Sequence, residues 1–498
     1  MSELLDHSAL ELRRMIGHKS LSPVELLEAC LARIEAVNPA VNAFVALDPD
    51  AAREAAQDAE AAVSRGDELG LLHGLPIGVK DLNPTRGLRT TFGSLLFKDN
   101  VPESDDLMVA RIRAQGGIVI GKTNTPEFGA GANTTNRVYG STTNPFAPTL
   151  SAAGSSGGSA AALATGMVPL ATGSDQGGSL RTPASFCGVV GHRPSPGAVP
   201  NSPSRYPWSP LSVDGPMGRT ASDTALLMAA MVGSTDFDPL AQDLDSRPFA
   251  ALRSVELQGL RVAFSADLGF APVAKAIRAH FEQVAGQIAP LFASTSWREP
   301  DLSDAHWIFE TLRAMGFAAS YGDAVRDHRN RLGPNVIANA GSAASVNLAD
   351  YGKAHAAQGE LYRRCQSFFQ EVDLLICPAA STTPYPVEDV TVSAIDDEPM
   401  PTYITWLALA YGITLTTHPT TVIPCGLGPT GLPFGIQIVG RNRDDAGTLA
   451  AAAALSRALK GMDGLARPRP DIEALASGRV ETLAGRVPAT LEAHANGG

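Results

Sequence analysis

The 498-residue chain has a formal net charge of -12, with 18% charged residues, 48 Gly and 36 Pro. Without a basic cluster, that charge argues against nucleic acid or an anionic membrane as partner. The Gly and Pro content excludes a coiled coil and predicts a compact fold with many tight turns. Five unpatterned cysteines, Cys30, Cys187, Cys365, Cys377 and Cys425, read as reduced thiols and predict a cytoplasmic protein. The opening "MSELLDHSALELRR" lacks the apolar core of a signal peptide. No run of ~18 apolar residues predicts a membrane span.

In chain order, residues 1–65 read as a helical segment. In "LSPVELLEACLARIEAVNP", Ser22 is the expected N-cap, Pro23 the first helical residue and Glu25 the partner in a capping box. A second helix follows in "DAAREAAQDAEAAVSRGD". Apolar runs then predict strands at 74–82, 116–124, 167–175, 260–268 and 372–380. Residues 419–427 and 433–441 read as a hairpin around "GPTG". "DDAGTLAAAAALSRALK" closes as a helix.

Strands alternating with helices predict an α/β fold, a single large domain over 1–498 with a mixed, twisted central sheet covered by helices on both faces. Within it, 74–230 reads as the catalytic core and 231–370 as a variable, mostly helical region. Residues 371–460 supply returning strands and the closing helix. The acidic, Pro-rich stretch 384–403 reads as a surface loop or lid.

Two serine-bearing stretches pose the chemical question. "AAGSSGGSAAALA" fits the G-x-S-x-G elbow of Ser–His–Asp hydrolases, with Ser156 as nucleophile. Neither a preceding apolar strand nor a downstream His supports it. "GSDQGGSLRTPASFCG" sets Ser179 behind a glycine pair, with no His or Glu in the ten residues before it. A serine hydroxyl is a weak nucleophile without a base.

Taken together, "GLPIGVKDL", "GSSGGSAAALATG" and "GSDQGGSLRTPASFCG" resemble the amidase signature family, whose catalytic unit is Ser–cis-Ser–Lys. Ser155 and Ser179 stand 24 residues apart, and Asp175 to Ser179 spells Asp-x-Gly-Gly-Ser. "GGIVIGKTNTPEF", "STTNPF", "GPMGRTASD" and "GLPFGIQIVG" extend the likeness over most of the chain. Residues from about 235 to 370 resemble the family least.

The resemblance implies Ser179 as nucleophile, Ser155 as the bridging serine after a cis peptide, and Lys80 as base. A lysine near its ordinary value of about 10.4 holds its proton at neutral pH. Burial must therefore bring it to about 7, at a cost of roughly 4 to 5 kcal/mol. A serine hydroxyl both donates and accepts, so Ser155 can relay a proton. Gln176, Gly177, Gly178 and Ser179 would turn backbone N–H groups toward a bound carbonyl as an oxyanion hole. Asp175 and Arg181 would hold the loop.

Around this unit, Gly129, Ala130, Tyr206 and Trp208 lie in stretches that line or cover the pocket in relatives, and His418, where relatives often carry a small or apolar residue, is a further candidate to face the substrate. The aromatic residues there suggest aryl or hydrophobic amides, with carbamates and esters feasible. Cys187 and His192 read as core residues. No metal and no cofactor is implied, and the chain is expected to act as a monomer or homodimer. Two rival readings stand beside the free amidase: the glutaminase subunit of a tRNA-dependent amidotransferase, and the Ser156 hydrolase.

Overall fold

A computed structural model describes residues 2–493. Helix α1 (Ala9–Gly17) opens on a reciprocal capping box in which Glu11 N–H donates to Ser8 Oγ and Ser8 N–H to Glu11 Oε2. The box expected at Ser22 is only half made. Ser22 Oγ accepts from the Val24 and Glu25 N–H groups, but it donates to Glu60 rather than sharing with Glu25. That bond ties α2 (Pro23–Val41) to α3 (Pro49–Arg65), which packs along it. The face of α2 that carries Leu26, Leu27, Cys30, Ile34 and Val37 is buried, three or four residues apart as helical geometry requires.

Eleven strands make one mixed sheet. They are β1 (Phe44–Leu47), β2 (Pro76–Lys80), β3 (Ile118–Thr123) and β4 (Leu170–Asp175). Next come β5 (Val190–Arg193), β6 (Val213–Gly218), β7 (Arg261–Phe264) and β8 (Ser294–Trp297). The last three are β9 (Leu374–Pro378), β10 (Thr420–Leu427) and β11 (Pro433–Val439). Their order across the sheet is β1-β3-β2-β4-β6-β5-β10-β11-β9-β7-β8. Strand β2 runs parallel to β3 and β4, whereas β6 is antiparallel to both β4 and β5. The hairpin expected around "GPTG" is β10–β11.

Four of these strands were not apparent in the sequence. β6 is "VDGPMG", with Asp214, Gly215 and Pro216 in its interior, residues that disfavour strands. Pairing with a neighbour on each side overrides that local preference. β5 carries His192 and Arg193, β1 has only four residues, and β8 is a mostly exposed edge.

Helices from across the chain bear on the site. They are α4 (Leu107–Ala114), α5 (Gly157–Ala164), α6 (Arg181–Phe186), α7 (Ala305–His328) and α8 (Leu348–Glu371). Helices α9 (Ala408–Thr416) and α10 (Asp445–Lys460) follow, the latter packed on β10. Every residue of α5 is buried. Its Gly158 is there for close approach, since a Cβ would sit 2.3 Å from the Asn124 nitrogen. Within the stretch 384–403 lies a small antiparallel pair, Ala394–Ile395 with Glu398–Pro399, and Val387, Val392 and Ile395 are buried.

Candidate active site

The parallel pair β2 and β4 carries the expected site residues. Lys80 is the last residue of β2 and Asp175 the last of β4. Ser179 lies in the turn between β4 and α6, and Ser155 just ahead of α5, after a cis Gly154–Ser155 peptide.

Lys80 is 0% exposed. Its Nζ donates to Ser155 Oγ at 2.7 Å, Ser156 Oγ at 2.8 Å and Ser174 Oγ at 2.9 Å. An ammonium satisfies three acceptors. A neutral amine has two N–H groups and a lone pair, so one hydroxyl must then donate to nitrogen. Burial pushes Lys80 down to about 7, against the opposing pull of the Asp214 and Asp175 carboxylates. The amine can therefore shed its proton near neutrality.

Asp175 is the hub of the turn that carries Ser179. Burial alone would raise its carboxyl, but Arg181 and Arg193 beside it hold it well below the usual carboxylate range. Arg181 Nη2 donates to Oδ1 at 2.9 Å and Nε to Oδ2 at 3.1 Å. Arg193 Nη1 donates to the Asp175 carbonyl at 2.6 Å. The same guanidinium of Arg181 reaches Ala410 O, Thr414 Oγ1 and Gln437 Oε1, which fastens the turn to α9 and β11. Arg193, the second cation on Asp175, was not singled out in the sequence.

Asp175 also takes backbone donors. Leu180 N–H donates to Oδ2 and Gly178 N–H to Oδ1, each at 3.0 Å. The Gly178 N–H is thus already committed, a correction to the expected set of four oxyanion donors. Gln176, Gly177 and Ser179 remain on the open side of the turn, each partly exposed. Gly178 has φ +109, and a Cβ there would stand 2.6 Å from Ala410 Cβ, so glycine is required.

Ser155, Ser174, Gln176 and Ser179 form part of the wall of a cleft of about 930 Å³. Ser156 does not line it. This serine is buried and bonded to Lys80, and no histidine bonds to it among the described residues. The Ser–His–Asp reading loses its geometric basis.

Of the expected pocket residues, Gly129 and Tyr206 line the cleft. Tyr206 Oη shares a 2.7 Å hydrogen bond with Tyr351 Oη, which ties its loop to α8. Three expectations are corrected. Trp208 points outward from its Pro-rich loop and is 75% exposed. Ala130 lines a separate small cavity with Glu127 and Arg137. His418 lies buried against α8, stacked on Phe369 at 4.6 Å, and burial pushes it down to about 4. His192 is a buried partner of Thr421 and Asp445, and burial pushes the Cys187 thiol up.

Sequence reasoning missed the aromatic wall. Phe92, Phe97, Phe128, Phe317 and Tyr321 all face the cleft. Phe128 and Tyr321 stack at 4.5 Å, and Phe97 sits edge-on to Phe92 at 5.1 Å and to Phe128 at 6.1 Å. The one signal available was Phe317 and Tyr321 four residues apart, one face of a helix.

Comparison with known proteins follows the same lines. The Amidase family model matches residues 25–449. An acylamidase of Rhodococcus erythropolis is 33% identical, covering 90% of this chain and 94% of that protein. A glutamyl-tRNA(Gln) amidotransferase subunit of Roseiflexus castenholzii is 32% identical, covering 92% of this chain and 96% of that protein. The crystal structure of a bacterial aryl acylamidase of the amidase signature family superposes with a TM-score of 0.85 at 27% identity, covering 95% of this chain and 99% of that one. Among the described residues no helix is long and apolar enough to cross a membrane.

Proposed function

The chain belongs to the amidase signature family of amide-cleaving hydrolases, and on that premise we propose that it is a free-standing amidohydrolase of aryl or hydrophobic amides. In this reading Ser179 Oγ attacks the carbonyl carbon while its proton passes through Ser155 to the neutral Lys80 amine. The tetrahedral oxyanion accepts hydrogen bonds from the N–H groups of Gln176, Gly177 and Ser179. The proton returns through Ser155 to the leaving nitrogen, the C–N bond breaks, and an acyl ester remains on Ser179. Water, deprotonated by the same relay, then releases the acid and restores the hydroxyl.

The observation that carries the reading is the Lys80–Ser155 hydrogen bond, made by a buried amine held at about 7 beside a cleft that Ser179 also lines. The stacked rings of Phe128 and Tyr321 support the aryl preference, because they offer flat apolar surface to a planar group. The amidotransferase relatives favour a second reading, glutamine hydrolysis in company with partner chains.

One panel separates the two. The purified chain is assayed on anilides, aliphatic amides, carbamates, esters and glutamine. Anilide turnover is expected, with a loss of ~10³-fold or more in Ser179→Ala. Turnover confined to glutamine would favour the amidotransferase reading, and an active Ser179→Ala would remove the nucleophile assignment.

A further inference from the structure

On the wall of the cleft stands a carboxylate that no cation bonds directly among the described residues. Asp214, in β6, is half-buried and lines the cleft. Its side chain takes one hydrogen bond, from Asn83 Nδ2 at 3.3 Å, and makes no ion pair among the described residues. The same Nδ2 donates to Asp106 Oδ2 at 2.8 Å, and Asp106 Oδ1 caps α4 through the Val109 N–H. Asn83 spans both carboxylates with one amide nitrogen and lines the cleft beside them. It is 4% exposed, and its Oδ1 has no donor among the described residues.

This corner therefore holds two carboxylates and an amide oxygen, with one side-chain NH₂ group between them. Buried acceptors in native proteins have partners, and an unpaired one costs about 1 to 3 kcal/mol. The shortage is of donors: the buried cations Lys80 and Lys122 act on Asp214 and Asp106, but Lys80 donates to three serines and Lys122 to Asn83 O and Thr85 Oγ1. Burial and the neighbouring Asp106 push Asp214 up to about 7 even though Lys80 pulls the other way. A bound ammonium would supply the missing donors.

We propose that Asp214, Asp106 and Asn83 form a recognition pole for a protonated amine on the substrate. The preferred substrates then have two ends, an aryl group against Phe128 and Tyr321 and an ammonium at Asp214. An ammonium has three N–H donors, and this corner offers the carboxylates of Asp214 and Asp106 and the unpaired Asn83 Oδ1 as acceptors. The proposal rests on reading the cleft as the substrate site. It also gives Lys80 a benefit, since a cation at Asp214 cancels the charge that holds the proton on Nζ.

The test uses the full-length chain and two matched pairs of anilides. Each pair is an aminomethyl compound and its methyl isostere, with the substituent on the acyl part in one pair and on the aniline ring in the other. In one pair at least, wild-type kcat/KM is expected to favour the ammonium compound roughly tenfold or more. Asp214→Asn is expected to bring that ratio close to unity. Calorimetric binding of benzylammonium to Ser179→Ala should weaken by a similar factor on adding Asp214→Asn. A wild-type ratio near unity in both pairs, or a ratio that survives Asp214→Asn, would overturn the proposal. Turnover of none of the four anilides would count against the hydrolase reading instead, and benzylammonium binding would then decide on the pole alone.

Discussion

Replacing Lys80 by Met keeps most of the side chain's length and removes its titratable nitrogen. In the wild type, holding this amine at about 7 rather than at 10.5 corresponds to about 5 kcal/mol in favour of the neutral form. That is the condition for it to accept a proton near neutrality, and it sets the pH dependence. Below about 7 the amine is an ammonium and the relay from Ser179 has no acceptor, so kcat/KM should fall about tenfold per pH unit. Above that value it should level off. Asp214 and Asp175 are the charges that pull against burial, so Asp214→Asn should move the acid limb to lower pH. Lys80→Met should lose ~10²- to 10⁴-fold or more, the usual worth of a general base. The loss should not come from unfolding. A lysine with a lowered folded value weakens the fold fully below about 7, less as pH rises, and not at all above 10.5. Removing it offsets the three serine hydrogen bonds lost, so Tm at pH 7 is expected to hold. The assay is kcat/KM on one anilide from pH 5.5 to 9.5, beside a thermal melt. A folded Lys80→Met enzyme with a wild-type rate and profile would refute the assignment of the base.

Asp175→Ala leaves two buried guanidinium groups facing each other, so a stability loss of roughly 3 to 5 kcal/mol is expected in a denaturant melt. A change under ~1 kcal/mol would mean that Arg181 is held by Ala410, Thr414 and Gln437 alone. Tyr321→Ala removes one half of the stacked pair and should raise KM for anilides more than for acetamide; equal effects would mean that the ring does not touch the aryl group. Aryl phosphonates or sulfonyl fluorides should inactivate by modifying Ser179. Mild thiol alkylation should not, because all five cysteines are buried. EDTA-dependent loss that a divalent metal restores would contradict the serine mechanism.

The strands legible in the sequence are those whose burial is written as a continuous apolar run, such as "IVI" in β3 and "LLIC" in β9. β6 was illegible because its partners, not its residues, make it a strand, and the same strand supplies Asp214. Lys80, Ser155 and Ser179 stood out because each sits in a short block of glycine and small residues with a distinctive spelling. The aromatic wall had no such spelling. Its rings come from 92–97, 128 and 317–321, segments that meet only through the tertiary fold. Trp208 and His418 misled for the converse reason. An aromatic type at a plausible position says nothing of which way its ring turns, and here one faces water and the other Phe369.

The anchoring of the Ser179 turn bears on how the protein is made. Lys80, Ser155 and Ser179 leave the ribosome early, yet the guanidinium that braces their turn is held by Ala410, Thr414 and Gln437. Until those residues emerge, Arg181 has only Asp175 for a partner, and β4 lies in a sheet still lacking β10 and β11. A nascent chain of some 400 residues thus bears Lys80, Ser155 and Ser179 without the residues that fasten Arg181. The turn gains its last anchor only once Gln437 in β11 has been made.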